Sequence, residues 1–228
     1  MTKKGLVSLS GGLDSATTLA IAKSRGYEVS AISFDYKQRN DIELQAACKV
    51  ARDQNVAEHK IVTVDLAQIG GSALTDDIPV PTVDLHDEEI PATYVPGRNL
   101  IFLSLALAWA EVNDIFDIFI GVNSLDFSGY PDCRPEFIES FEKTANLATR
   151  AGTTGNDIKI HTPIIKMTKS EIIRKGVALG VNYANTLSCY APDSHGRACG
   201  KCDSCRLRKK GFEEAGVKDP TTYINKEQ

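Results

Sequence analysis

Leu6-Val7-Ser8-Leu9-Ser10-Gly11-Gly12-Leu13-Asp14-Ser15-Ala16-Thr17-Thr18-Leu19 is a short apolar strand candidate that passes through two glycines into a helical pattern reaching Arg25. Glycine has no Cβ, so Gly11 and Gly12 let the chain turn sharply and let a ligand come close to the main chain. The first amides of the following helix have no intrahelical acceptor, and the helix dipole is positive there, so the turn is a ready anion site. Ser10 and Ser15 add hydroxyl donors. A Gly-Ser turn can join a strand to a helix without any ligand, but six residues of this kind in a strand-to-helix setting favour a phosphate cradle. The loop lacks the lysine of the GxxxxGK[ST] phosphate loop and the GxGxxG spacing of dinucleotide folds.

Outward from this turn, apolar strand candidates alternate with helical patterns. Residues 5–9, 28–34, 60–64, 115–122 and 158–161 read as strands; 16–25, 39–54, 100–110, 135–149 and 168–179 read as helices. The 115–122 run is almost continuously apolar, as befits a central strand covered on both faces. This alternation predicts an α/β fold, a doubly wound and mainly parallel sheet with its ligands at the carboxyl ends of the strands. The apolar run 100–110 is too short to span a bilayer and reads as a buried helix. Residues 70–98 break the rhythm with Pro79, Pro81, Pro91 and Pro96 and an acidic cluster at Asp84, Asp87, Glu88 and Glu89. A connection this long reads as a lid, ending where Arg98 can meet an anion at a helix start or serve as a surface charge there.

At 228 residues, 42% hydrophobic and 25% charged, the chain reads as one globular domain over 1–228. A formal net charge of −4 provides no global field for a polyanion, so nucleic acid is not an expected partner. The basic run Arg206, Arg208, Lys209 and Lys210 reads as a solvated helix face or a patch near an anionic small substrate. No targeting segment or membrane span is visible, and the expected location is the cytoplasm.

Four of the six cysteines form Cys-x9-Cys-x2-Cys-x2-Cys at Cys189, Cys199, Cys202 and Cys205. Four thiolates match tetrahedral zinc, with Gly200 suited to the tight knuckle, in a segment spanning 186–210. An iron–sulfur cluster is the competing reading of CxxCxxC, and His195 is a candidate substitute ligand. Cys48, with Leu44, Ala47 and Ala51 at helical spacing, reads as a core side chain. Cys133 lies in a turn-rich segment after the 115–122 strand. There Asp126, Phe127, Tyr130, Asp132 and Arg134 offer the stacking and paired hydrogen bonds that a flat heterocycle wants.

The loop of residues 10–15 resembles the SGGxDS pyrophosphate loop of ATP pyrophosphatases, which implies a sheet of the adenine-nucleotide α-hydrolase-like type. Joined with Val95-Pro96-Gly97-Arg98-Asn99, Asp126-Phe127-Ser128-Gly129-Tyr130-Pro131-Asp132-Cys133-Arg134, His161-Thr162-Pro163 and Ser188-Cys189-Tyr190 with the knuckle, it resembles the 7-cyano-7-deazaguanine synthase family across almost the whole chain. That resemblance implies an enzyme of queuosine biosynthesis, a C–N ligase that turns 7-carboxy-7-deazaguanine, ammonia and MgATP into the nitrile. It also implies one zinc per subunit on Cys189, Cys199, Cys202 and Cys205, a homodimer, and an ATP-binding segment on Leu9, Ser10, Gly11, Gly12, Leu13, Asp14, Ser15, Ala16, Thr17, Thr18 and Leu19. Asp14, Ser15 and Arg98 are the expected catalytic residues. The family typically has Tyr-Gly-Gln-Arg-His where this chain reads Tyr36-Lys37-Gln38-Arg39-Asn40, so proton work done by that histidine falls here to Lys37 or Arg39, whereas a helix-capping role is one that Asn40 fills. The rival reading is an ATP-dependent tRNA sulfur transferase carrying a persulfide on Cys133.

Overall fold

The computed structural model describes residues 2–38, 42–81, 90–125 and 130–224. Five strands, β1 (Lys3–Ser8), β2 (Tyr27–Asp35), β3 (His59–Thr63), β4 (Asp117–Ile120) and β5 (Lys159–His161), form one parallel sheet in the order β3-β2-β1-β4-β5. The helices are α1 (Leu13–Ser24), α2 (Ile42–Asp53), α3 (Arg98–Val112), α4 (Pro135–Ala148), the one-turn α5 (Arg150–Thr153), α6 (Lys169–Ala178) and α7 (Asp203–Ala215). The doubly wound α/β expectation holds.

Period-two alternation divides the core. Val7, Val29, Ala31 and Phe119 face α1, α2, α6 and α7, whose Leu19, Val50, Ile172 and Phe212 are buried against them. Leu6, Ile32, Ile118 and Ile120 face α3 and α4, which bury Leu103, Ile138 and Phe141. The sheet thus lies between two helical layers, and the strand order reverses between β1 and β4. At that switch point the β1 and β4 connections leave to opposite faces, which opens a crevice at the strands' carboxyl ends.

Two glycines keep the crevice narrow. Gly11 has φ +84, and a Cβ there would lie 2.5 Å from the Ala47 N and 2.6 Å from the Glu43 carbonyl oxygen of α2. A Cβ on Gly121, just past β4, would lie 3.1 Å from the backbone of Asp14 and Ser15 in α1.

Three expectations need correction. The apolar run within α3 is not buried all round, because the sheet covers only the stripe of Leu103, Ala106 and Ala110; Leu100 is 47% and Val112 80% exposed. The basic run in α7 is not wholly solvated, since Arg208 is buried. The described parts of the 70–98 segment pack as a wall instead of a free lid: the Ala73 N–H donates to the Ala92 carbonyl at 2.7 Å, and Ser72, Leu74, Thr93 and Val95 are buried. Its acidic cluster, Asp84, Asp87, Glu88 and Glu89, lies outside the described residues. Cys48 is half-buried at the core margin. Among the described residues no helix is long and apolar enough to cross a membrane.

Candidate active site and metal centre

A cavity of about 220 Å³ opens at the switch point, between Ser8 and Ser10 after β1 and Ile120 to Asn123 at the end of β4. Its floor is the start of α1. Gly12, in extended conformation, is the N-cap and offers no side chain, and the first intrahelical bond is Ala16 N–H to the Gly12 carbonyl at 3.1 Å. The amides of Leu13, Asp14 and Ser15 therefore point out of the helix with no side-chain cap, as an anion cradle requires. The serine hydroxyls are pre-ordered: Ser10 and Ser15 Oγ lie 3.0 Å apart, Ser10 N–H donates to Ser15 Oγ at 3.2 Å, and Ser15 Oγ donates to the Gly12 carbonyl at 3.1 Å.

Ser10, Gly12, Leu13, Asp14 and Ser15 line the cavity, whereas Leu9, Ala16 and Leu19 are core. Gly11 acts through its backbone approach to α2. Thr17 Oγ1 donates to the Leu13 carbonyl at 2.9 Å and meets Tyr183 Oη at 2.7 Å, and Thr18 is buried. Of the residues 9–19 expected to bind nucleotide, those that line the cavity fall in the first half, because one helical turn beyond the loop the side chains already face the sheet. Asp14 is gripped by Lys169 of α6, whose Nζ lies 2.9 Å from both carboxylate oxygens. Lys169 was invisible to sequence reasoning, since it sits at the start of an ordinary capping box, Thr168 to Glu171.

The opposite wall is aromatic and carries Arg98. Its guanidinium lies 5.9 Å from the Tyr36 ring centroid. Burial alone would lower the Arg98 pKa, but Tyr36, Tyr130, Glu43 and Tyr190 around it raise it above its ordinary value, so it is permanently cationic. Burial likewise raises the hydroxyls of Tyr36 and Tyr190, which stay neutral. Tyr130 Oη meets Thr93 Oγ1 at 2.8 Å. Burial pushes the Glu43 carboxyl up to about 6, against the pull of Arg98.

The remaining sequence candidates scatter. Asp132 is buried outside the cavity, where its carboxylate accepts from the Asn99 N–H at 2.8 Å and so anchors the first turn of α3. Arg134 is exposed, with Nε donating to the Pro131 carbonyl at 3.1 Å. Lys37 pairs with Asp35 at 3.1 Å on the exposed rim and does not line the cavity. Asp126, Phe127, Arg39 and Asn40 lie outside the described residues. Cys133 lines the cavity and accepts from Asn99 Nδ2 at 3.3 Å, but burial pushes its thiol up to about 12, with Asp132 adding to the rise. A thiol held neutral at pH 7 is a poor sulfur carrier.

The Sγ atoms of Cys189, Cys199, Cys202 and Cys205 all lie within 4.8 Å of one another. A tetrahedral zinc with Zn–S of about 2.3 Å sets its sulfurs about 3.8 Å apart, so the donor set fits. Gly200 makes the knuckle at φ +75, and Cys202 is the N-cap of α7. Backbone N–H groups of Cys199 and Cys202 donate to the sulfurs of Cys189 and Cys199 at 3.1 and 3.4 Å. Cys202 is the thiol held low, because those of Cys189 and Cys205 donate to it. The centre is tied to the cradle: the Leu187 N–H donates to the Gly11 carbonyl at 3.0 Å, and Arg208 donates to Thr186 Oγ1 at 2.8 Å, Ser188 Oγ at 3.3 Å and the Tyr183 carbonyl at 3.1 Å.

Residues 4–216 match the family model described as queuosine biosynthesis protein QueC. A relative from Citrifermentans bemidjiense named 7-cyano-7-deazaguanine synthase is 60% identical over 223 residues, covering 98% of this chain and 99% of its own. One of the same name from Pseudomonas aeruginosa is also 60% identical over 223 residues, covering 97% and 99%. Among solved structures, NMN synthetase from Francisella tularensis superposes with a TM-score of 0.51 at 17% identity, over 95% of this chain and 79% of that one. A 4-thiouridine synthetase solved with RNA and ATP gives 0.52 at 15%, over 94% and 50%. At these identities the solved structures speak to the fold alone. The family match, spanning the cradle, the aromatic wall, the four cysteines and all of α7, decides the matter: this chain belongs to the queuosine biosynthesis protein QueC family.

Proposed function

We propose that this chain converts 7-carboxy-7-deazaguanine, ammonia and ATP into 7-cyano-7-deazaguanine. The supporting observation is the uncapped start of α1 facing Arg98 and an aromatic wall across a single cavity at the sheet's switch point. A carboxylate resists ammonia because oxide is its leaving group. Attack of the substrate carboxylate on the α-phosphorus releases pyrophosphate and leaves an acyl adenylate, whose AMP ammonia then displaces to give the amide and a proton. A second adenylation, on the amide oxygen, followed by loss of AMP and a proton, leaves the nitrile.

In this scheme the amides of Leu13 to Ser15 and the Ser10 and Ser15 hydroxyls take up the negative charge that grows on the leaving pyrophosphate. Magnesium, when bound with ATP, neutralises phosphate charge. Lys169 holds Asp14 at the mouth of the cradle, and the Arg98 guanidinium lends the cavity positive charge that offsets the like charges of nucleotide and substrate carboxylate. Zinc on Cys189, Cys199, Cys202 and Cys205 is structural, since four thiolates leave no open position. The reading takes residues 1–228 as one domain with the knuckle at 186–210, working as a cytoplasmic homodimer on small molecules.

Zinc-replete protein given carboxydeazaguanine, ammonia and MgATP should release nitrile and AMP. Absence of turnover in folded protein that still binds both substrates overturns the assignment. Sulfur transfer is the disfavoured alternative, and Cys133→Ser separates the two: a persulfide carrier loses all activity, a cavity-wall thiol only part of it.

A further inference from the structure

Glu43 is the charged side chain in the cavity that the chemistry above leaves unused. Carboxylates in a helix's first turn commonly sit in solvent beside the dipole. Glu43 instead lines the cavity from α2. Arg98 is the charge that bears on it, and among the described residues no donor hydrogen-bonds to its carboxylate.

Gln38 lines the same wall. Its Oε1 accepts from the Tyr36 N–H at 2.9 Å, while its Nε2 is buried without an acceptor among the described residues. Gln38 meets the Tyr36 main chain, the Glu43 carboxylate and the Arg98 guanidinium bear on its phenol, and Phe102 and Tyr130 supply flat surface in the same cavity.

A carboxylate and an amide N–H lining one cavity complement one kind of heterocycle edge: a carbonyl followed by two adjacent N–H donors. The 2-amino-4-oxo edge of a guanine-type base has that order. An adenine edge does not, for it sets a ring-nitrogen lone pair against the carboxylate oxygen. We propose that Glu43, assisted by Gln38, reads the ring N–H and 2-amino group of the deazaguanine substrate and so sets the base specificity of the cavity. The carboxyl on the far side of the bicycle then points away from α2. This rests on the function proposed above, but it concerns recognition of the base and has its own readout.

The experiment compares 7-carboxy-7-deazaguanine with its analogue lacking the 2-amino group, by calorimetric binding and by kcat/KM, in the wild type, Glu43→Gln and Glu43→Asp. The wild type should favour the amino compound by about 10- to 100-fold, the range for a lost hydrogen bond to a buried charge. Glu43→Gln should level the two while MgATP affinity stays put, and Glu43→Asp should keep part of the preference. Undiminished preference in Glu43→Gln, or a loss of MgATP affinity in place of base affinity, overturns the proposal. Wild-type protein that binds the base with the expected preference yet makes no nitrile refutes the reaction and leaves the base site standing.

Discussion

Replacing Glu43 by glutamine should make the free protein more stable, and the gain should depend on pH. Burial raises its carboxyl from the ordinary 4.5 to about 6. The folded state therefore holds the proton more tightly than the unfolded chain, and stability falls as pH climbs through that window. At 1.36 kcal/mol per pH unit, the ionised carboxylate costs the fold about 2 kcal/mol above pH 6. Glutamine keeps the shape and removes the charge. Urea unfolding of zinc-loaded wild type and Glu43→Gln at pH 4.5, 5.5 and 7.5 should show a gap of only about 0.4 kcal/mol at the lowest pH and of about 2 kcal/mol in the mutant's favour at the highest. Differencing the two proteins cancels the titration of every other group, the cysteines included. A gap that ignores pH, or a mutant weaker at pH 7.5, would mean that the carboxylate is well satisfied in the free protein, and the argument for a charge awaiting its ligand would collapse.

Gly121→Ala should lower MgATP affinity by about tenfold with little change in Tm, because the new methyl presses at 3.1 Å on the Asp14 and Ser15 backbone and tilts the cradle; calorimetry with MgATP checks it. Lys169→Met strands the Asp14 carboxylate and should cost about 3 kcal/mol in urea unfolding, with part recovered when Asp14→Asn is added. Chelation of the metal at pH 7.5 should speed amide exchange around Gly11 and weaken nucleotide binding together, since Leu187 hangs on that carbonyl. Unaltered MgATP affinity in metal-free protein would sever that link.

What could be read from the chain was what is local. Glycines between an apolar strand and a helix, and cysteines at knuckle spacing, state their chemistry within a few residues, and the strand–helix alternation carried the doubly wound sheet. What escaped was what folding brings together. Lys169 looks like any residue of a capped helix until α6 packs on α1 and sets it against Asp14, 155 residues away. Glu43 draws no reading at all and Arg208 only that of a solvated charge or a patch near a substrate, because neither helix periodicity nor composition says which face of α2 or α7 meets the cavity or the core. Asp132 and Arg134 differ the other way: charge in a turn-rich segment suggests a binding loop, yet Asp132 braces α3 and Arg134 sits at the surface, as does Lys37. The α3 run deceived in a third manner, since hydrophobicity all round a helix records what the whole surface tolerates, not what one sheet covers.

The hydrogen bond from Leu187 to Gly11 joins points 176 residues apart. During synthesis the glycine turn leaves the ribosome first, and the strut that fixes it on one side follows only after the 175 residues between them. A truncated nascent chain lacking that strut therefore holds an unsupported turn. Arrested chains in which Leu187 is still inside the ribosome should capture nucleotide less well than chains long enough to bring it out, if this one contact steadies the turn.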